Sequence, residues 1–447
     1  MWSRRSLLRN GAAGAASLLG ARPRAHAQSA PGAPKHLIVV LIEGGWDVTY
    51  CLDPKEGCPD LDAAAKAEGP SCDAGTAEGT ENIEKFGNLT VATNALLRPG
   101  VAAFFGGSAV EGGPGRYERC HIINGIETGS IAHDPCRTRM LTGTQSMTNP
   151  DISVIAGAVH GGSLPLGSVD LSGWSVSGSL AATTGRIGYQ SQIKALVDPN
   201  TFMTAPPGLG WSYPLYDGTT HEGKLSEYLL ARQATFLAQH ADGGHNDLVV
   251  GAMEESLGRA ALFKAQGASL LTELEVGEKV MFYNQINIAI SLIQAGVCHS
   301  LMLDSRYDWD THEVNLAQHD HYEGLFRNLA HLYDALEEAG LFEDTVVAVI
   351  SEMTRTPLMN LANGKDHWPH TSALLFGGGV KANQTSGATD SQVESQTVDL
   401  ATGAVVTEID GGVPLNYDNF CAGILDLVGV NAADWLPDAV PFEGFKA

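Results

Sequence analysis

The sequence predicts an α/β fold with a mainly parallel central sheet flanked by helices. Three observations lead there. The runs HLIVVLI (His36–Ile42) and TVVAVI (to Ile350) are continuous, apolar and β-branched, as strands buried on both faces are. Stretches with apolar residues at helical spacing lie between and after such runs. Carboxylates and histidines gather just past the predicted strand ends, where open α/β sheets bind ligands.

Taken in order, residues 1–27 read as a signal peptide. Arg4-Arg5 lies within Ser3-Arg-Arg-Ser-Leu-Leu, a small-residue apolar stretch follows, and Ala25-His26-Ala27 fits the small-x-small cleavage rule. The pattern resembles a twin-arginine signal. It implies the twin-arginine export machinery as a partner and a periplasmic or secreted protein with no stable membrane anchor. Residues 28–34 form a linker. Residues 35–447 read as one α/β domain with loop-rich insertions at about 51–117 and 151–222. The formal charge of −24 makes nucleic acid a poor partner, because each phosphate contact needs Lys or Arg. Cys51, Cys58 and Cys72 could supply one local disulfide, whereas Cys120, Cys298 and Cys421 fall in or beside apolar runs as core thiols.

The first strand ends in Glu43-Gly44-Gly45-Trp46-Asp47, placing Asp47 at its carboxyl end as a ligand or a turn cap. Residues 51–117 read as long loops with one short strand, 88–92. A strand follows at 119–126, then the stretch to Gly143 that holds Thr128, Ser130, His133, Asp134, Arg137 and Arg139. Residues 151–222 alternate short strands with Gly/Pro turns, and 223–297 read as helices on the sheet. Strand 298–303 leads into DSRYDWDTHEVN. There alternate residues of an extended chain would put Asp308, Asp310 and His312 on one face, with Glu313 beside them. Alternatively, Asp310 caps the following helix and His312 is a surface residue. That helix spans 317–341, and its first histidines, His319 and His321, read as solvated. Strand 344–350 runs into Ser351-Glu352, with Arg355 offering a planar fork to an oxyanion or pairing with Glu352 or Asp366. In the loop Lys365–His370, His367 and His370 fit metal ligation. Asp366 is a further ligand or the partner that fixes a histidine tautomer. Strand 372–376, an irregular stretch at 381–413 and helix 416–428 complete the chain. Oxygen-plus-imidazole donors allow one or two divalent ions: zinc, manganese, iron or, with fewer histidines, calcium.

These stretches resemble the DUF1501 family of exported bacterial proteins, placed within the alkaline phosphatase and sulfatase superfamily. The resemblance rests on the twin-arginine start, Gly44-Gly45-Trp46-Asp47, Trp309-Asp310-Thr311-His312, Ser351 to Pro357, Gly364 to Trp368 and Gly377 to Lys381. Met353-Thr354 stands where the family usually has Phe-Gly. The resemblance implies an alkaline phosphatase-like sheet with one or two metals at the strand carboxyl ends. It makes Asp47 the first-strand ligand, Asp308 or Asp310 with His312 an acid–histidine pair, Glu352 a carboxylate ligand and His367 the late histidine. His133-Asp134-Pro135-Cys136-Arg137 with Leu141-Thr142-Gly143 is similar to the sulfatase signature, with His133 at the nucleophile position. Ser130 or a water is the substitute nucleophile, and Arg137 or Arg355 would steady charged oxygens. The implied activity is metal-dependent hydrolysis of a phosphate- or sulfate-type ester. The alternative is a non-catalytic exported binding or assembly protein on a degenerate scaffold.

Overall fold

A computed structural model describes residues 36–55, 81–187 and 280–447, with isolated helical positions between 224 and 263. In chain order the strands are β1 (His36–Ile42), β2 (Glu81–Phe86), β3 (Leu89–Asn94), β4 (Cys120–Glu127), β5 (Ser168–Asp170), β6 (Thr184–Arg186) and β7 (Ser300–Asp304). They continue with β8 (Thr345–Ser351), β9 (Thr354–Arg355), β10 (His367–Trp368), β11 (His370–Gly377), β12 (Gln384–Ser386) and β13 (Leu415–Asn416). The α-helices are α1 (Pro99–Gly106), α2 (His133–Thr142), α3 (Ile152–His160), α4 (Phe282–Gln294), α5 (Ala317–Glu338) and α6 (Tyr417–Leu427).

A large, mostly parallel sheet carries the fold, in the order β12-β4-β11-β8-β1-β7-β5-β6, with β13 beside β4. β1 pairs in parallel with both β7 and β8. β11 runs antiparallel to its neighbours β4 and β8. The strict alternation of side chains along each strand divides the core in two. Ile38, Val40 and Ile42 of β1, with Val347 and Val349 of β8, face α1, α4 and α5. Leu37, Val39 and Leu41, with Val346, Ala348 and Ile350, face α2, α3 and α6. Residues 37–42 of β1 and 346–350 of β8 are apolar at every position because each face has a helical layer to bury against. α5 earns its place through Tyr322, Leu325, Phe326, Leu329, Leu332 and Leu336, one stripe at helical spacing. It ends near Gly340 (φ 66°), where only glycine enters the left-handed region freely.

Three expectations change. The strand expected at 88–92 is β3, but the rest of 81–106 is a second hairpin strand and a helix, not loop. The segment 152–160 is α3, not a strand. His319 is buried against Tyr50, and His321 packs on Tyr307 and Trp309. Cys51 is a buried free thiol, as are Cys120, Cys298 and Cys421; Cys58 and Cys72 lie outside the described residues. So do residues 1–35, with the expected signal peptide and linker, and most of 188–279. No helix among the described residues is long and apolar enough to cross a membrane.

One buried histidine gives the fold an acid limit. His121 on β4 donates from Nδ1 to the Lys381 carbonyl (2.7 Å) and places Nε2 3.0 Å from the Ser386 hydroxyl. Burial lowers its pKa to about 4, only partly opposed by the Lys381 carbonyl. The unfolded chain therefore takes up a proton near the ordinary 6.5 while the folded chain does not. Stability falls as pH drops from 6.5 to 4, by about 3 kcal/mol from this residue. Urea titrations across that window should show a shallower loss in His121→Gln, by about that amount. An identical slope in the two proteins would contradict this.

Candidate metal centre

The strand directions bring distant segments to one edge. β1, β4, β7 and β8 end there, and antiparallel β11 begins there, so the β10 segment just before it arrives as well. After β1 the chain turns at Gly44 (φ 111°) and Gly45 (φ 95°). A Cβ on Gly44 would lie 2.7 Å from the Asp310 nitrogen, so glycine is required for this turn to meet the loop after β7. The turn points two carbonyls at Arg355. Its guanidinium donates to Gly45 O (2.8 Å), Gly44 O and Lys365 O (3.2 Å), and Nη2 also reaches Asp310 Oδ1 at 2.7 Å.

Asp310 is the hub. His312 Nε2 and His367 Nε2 each lie 3.1 Å from its Oδ1, and His133 Nε2 lies 3.4 Å from its Oδ2. His133, Asp310 and His367 offer ligand atoms all within 4.8 Å of one another. His312 Nε2 approaches His367 Nε2 to 2.9 Å.

The outer nitrogens settle the ring tautomers. His133 Nδ1 faces Glu352 Oε1 at 2.5 Å, His312 Nδ1 faces Asp366 Oδ1 at 2.8 Å, and His367 Nδ1 faces the Ile131 carbonyl at 2.7 Å. A carbonyl or carboxylate only accepts, so each Nδ1 donates outward and each ring turns its Nε2 inward, where it can ligate an ion once it carries no proton. His133 Nε2, His367 Nε2 and the Asp310 carboxylate thus gather at one place, with His312 Nε2 beside His367 and Asp310. Such crowding of acceptors is stabilised by a proton or a cation held between them, and the outer acceptors are the partners that orient metal-binding histidines. The donor set fits a divalent metal ion.

The electrostatics agree. The hydrogen bond to Glu352 raises the pKa of His133 above its ordinary 6.5, with burial opposing. Burial pushes the Asp310 carboxyl up, but contacts from Arg355 and His367 and the charges of Arg355 and His312 override it and hold it at about 2. Asp310 stays an anion throughout the physiological range.

The structure brings His133, Asp310, His312 and His367 together and sets the other candidates apart. Glu352 is fully buried and already engaged: Oε1 meets His133 and the Gly44 N–H, and Oε2 accepts from Arg137 Nε at 3.2 Å. It holds a ligand and has no free face toward an ion. Asp366 likewise holds His312. Asp47 does not reach the centre: Oδ2 pairs with Lys365 Nζ at 2.7 Å and accepts from Asn315, while Oδ1 accepts from Thr49. Asp308 is exposed and accepts from the Asp310 N–H, and His370 contacts the Ser395 hydroxyl at 2.6 Å. Ser130 closes a local turn onto the Ala132 N–H. Arg137 is committed to Glu352, to Glu43 (2.9 Å) and to Asp134 (3.4 Å), and lies over the Trp174 ring at 3.8 Å. Neither arginine is wholly free: each nitrogen of both guanidiniums has a partner within the fold, while each Nη of Arg137 donates once and keeps a second N–H.

Sequence reasoning missed Glu43, the Ile131 carbonyl and Asn360, whose side chain bridges His312 O (2.9 Å) and Asp366 Oδ1 (3.2 Å). Glu43 had a signal in its place immediately after the first buried strand.

Residues 245–431 match the sequence model of a family described as "Protein of unknown function (DUF1501)". Asp310, His312, Glu352, Arg355, Asp366 and His367 fall within the matched region; His133 and the Gly44–Asp47 turn precede it. No curated protein matches this chain. Among solved structures the chain is similar to Ps i-CgsB, at 8% identity and TM-score 0.37, over 89% of this chain and 72% of that one. It is also similar to the lipoteichoic acid synthase LtaP from Listeria monocytogenes, at 8% identity and TM-score 0.37, over 97% and 81%. The lipooligosaccharide phosphoethanolamine transferase A (EptA) from Neisseria meningitidis aligns at 10% identity and TM-score 0.35, over 91% and 57%.

Proposed function

We propose that this chain is an exported, metal-dependent hydrolase of a phosphate- or sulfate-type ester, with His133, Asp310, His312 and His367 holding the ion. The observation that carries the reading is the gathering of His133 and His367 on the ionised Asp310 carboxylate, with His312 adjoining and each ring held from behind by an acceptor. Three imidazoles and one carboxylate favour zinc, manganese or iron over calcium, which takes oxygen ligands. The side chains of Asp310 and His312 are 36% and 39% exposed, so the centre opens to solvent, as catalytic sites do and closed structural sites do not. A bound ion supplies Lewis-acid polarisation of an ester and acidification of a water. The chain's own part is orientation. Glu352, Asp366 and the Ile131 carbonyl fix three tautomers, and Arg355 pins Asp310. Export rests on the Arg4-Arg5 segment and the Ala25-His26-Ala27 site.

A second reading, a metal-binding protein without turnover, draws on the commitment of both arginines to the fold. One experiment separates the two. Metal content of the purified mature protein is measured, then hydrolysis of 4-nitrophenyl phosphate, bis(4-nitrophenyl) phosphate and 4-nitrophenyl sulfate, before and after chelation. The hydrolase reading expects about one or two equivalents of a transition metal and turnover that chelation abolishes and metal restores. Metal without turnover supports the second reading. A folded protein that takes up no metal overturns both.

A further inference from the structure

The loop between β9 and β10, which delivers Asp366 and His367, also carries a chemically labile pair. Asn363 and Gly364 each stand there for a steric reason. Asn363 has φ 60°, in the left-handed region that asparagine tolerates better than most side chains. Gly364 packs so closely on the backbone of His312 that any Cβ would collide with the His312 carbonyl group. The turn is tied to the loop after β7 at three points. The Asn315 N–H donates to Asn363 O (3.0 Å), the Lys365 N–H to Thr311 O (3.1 Å) and the Asn360 side-chain amide to His312 O (2.9 Å). The fold thus sets an asparagine directly before a glycine, just ahead of Asp366 and His367.

A glycine after asparagine leaves the next main-chain nitrogen unshielded by any side chain. Asn363 is exposed, and no hydrogen bond holds its side-chain amide among the described residues. The pair Asn124-Gly125 on β4 is the contrast. Asn124 is 6% exposed, accepts from the Ser372 hydroxyl (2.7 Å) and donates to Leu52 O (3.3 Å). We infer that Asn363 is a site of spontaneous deamidation and isomerisation, and that isoaspartate there slackens the metal centre. The Gly364 nitrogen, its proton lost to solvent base, attacks Asn363 Cγ. The bond from Cγ to the side-chain nitrogen breaks and ammonia leaves. Water then opens the cyclic imide at one carbonyl or the other, giving aspartate or isoaspartate. Isoaspartate lengthens the main chain by one methylene where Gly364 is wedged against His312, and so shifts the segment that carries Asp366 and His367. Asn360 is the guard: its Oδ1 accepts from the Gly364 N–H (3.1 Å) and from the Ala362 N–H (2.9 Å), which holds the attacking nitrogen in place.

The conversion needs neither ion nor turnover, so it stands apart from the hydrolase reading; its effect on zinc alone rests on the assignment of the centre. Metal-free protein is incubated in warm, mildly alkaline buffer. Peptide mapping with isoaspartate-specific methylation follows residues 363 and 124, and zinc titration follows the same samples. Isoaspartate should build up at 363 and not at 124. The converted fraction should bind zinc at least about tenfold more weakly, the loss that disturbing an outer partner causes. Asn360→Ala should convert about twofold to tenfold faster, since one hydrogen bond to the attacking nitrogen is gone. Asn363→Gly keeps the positive φ, has no amide to react and should hold its fresh zinc affinity throughout. Asn363 intact in both the wild type and Asn360→Ala would overturn the inference, and so would converted protein that binds zinc as fresh protein does. Fresh protein that takes up no zinc would fault the metal assignment, while the mapping at 363 still decides whether the modification occurs.

Discussion

His367→Ala is expected to weaken zinc binding by more than about a hundredfold, the upper end of what even an outer partner costs when removed. The variant takes away one of the inward-facing Nε2 atoms and leaves the Ile131 carbonyl without its donor. Asp366→Ala removes only the group behind His312, so its loss should fall between about tenfold and a hundredfold. His370→Ala should bind as the wild type does, because its ring contacts Ser395 away from the centre. Competition against a chromophoric chelator gives all three affinities in one format. A graded series of this kind follows from ligand, outer partner and bystander. Wild-type affinity in His367→Ala, or equal losses in all three, would sink the assignment of the centre.

That series includes two neighbouring histidines of one motif, and the sequence alone did not separate them. The buried strands were legible because β1 and β8 are covered on both faces and so carry unbroken apolar runs at 37–42 and 346–350. The antiparallel direction of β11 was not, since hydrophobic pattern is the same in either direction. β2 escaped notice because ENIEKF is mostly polar. α3 (ISVIAGAVH) escaped because a helix buried nearly all round shows no polar face. At the site, period-two reasoning put Asp308, Asp310 and His312 on one face. The segment is not extended: Arg306 has φ 63°, and the His312 N–H donates to the Asp310 carbonyl within a tight turn. Asp310 and His312 meet through that turn, and Asp308 is carried outward. Glu352 and His133 were each singled out, but their contact spans 219 positions and depends on β4 and β8 lying on either side of β11.

Asp47 is the clearest divergence, and Lys365→Met tests it. The Lys365 ammonium and the Asp47 carboxylate are both fully buried, 2.7 Å apart. Removing one partner of such a pair leaves an uncompensated charge out of water, which costs about 3–5 kcal/mol. Lys365→Met should therefore unfold at markedly lower urea concentration. Asp47→Asn/Lys365→Met should recover most of the loss, because no buried charge remains and the amide oxygen still accepts from Thr49, with the bond from Asn315 given up. Zinc affinity of the double variant should stay close to wild type, since Asp47 makes none of the contacts that assemble the centre. A ligand role for Asp47 demands the opposite pattern: lost metal with little change in the stability of the metal-free protein. The two accounts part on the stability of metal-free Lys365→Met and on the zinc affinity of the double variant. Urea titration of the metal-free single variant, paired with zinc titration of the double variant, decides whether the carboxylate after the first strand serves the ion or the fold.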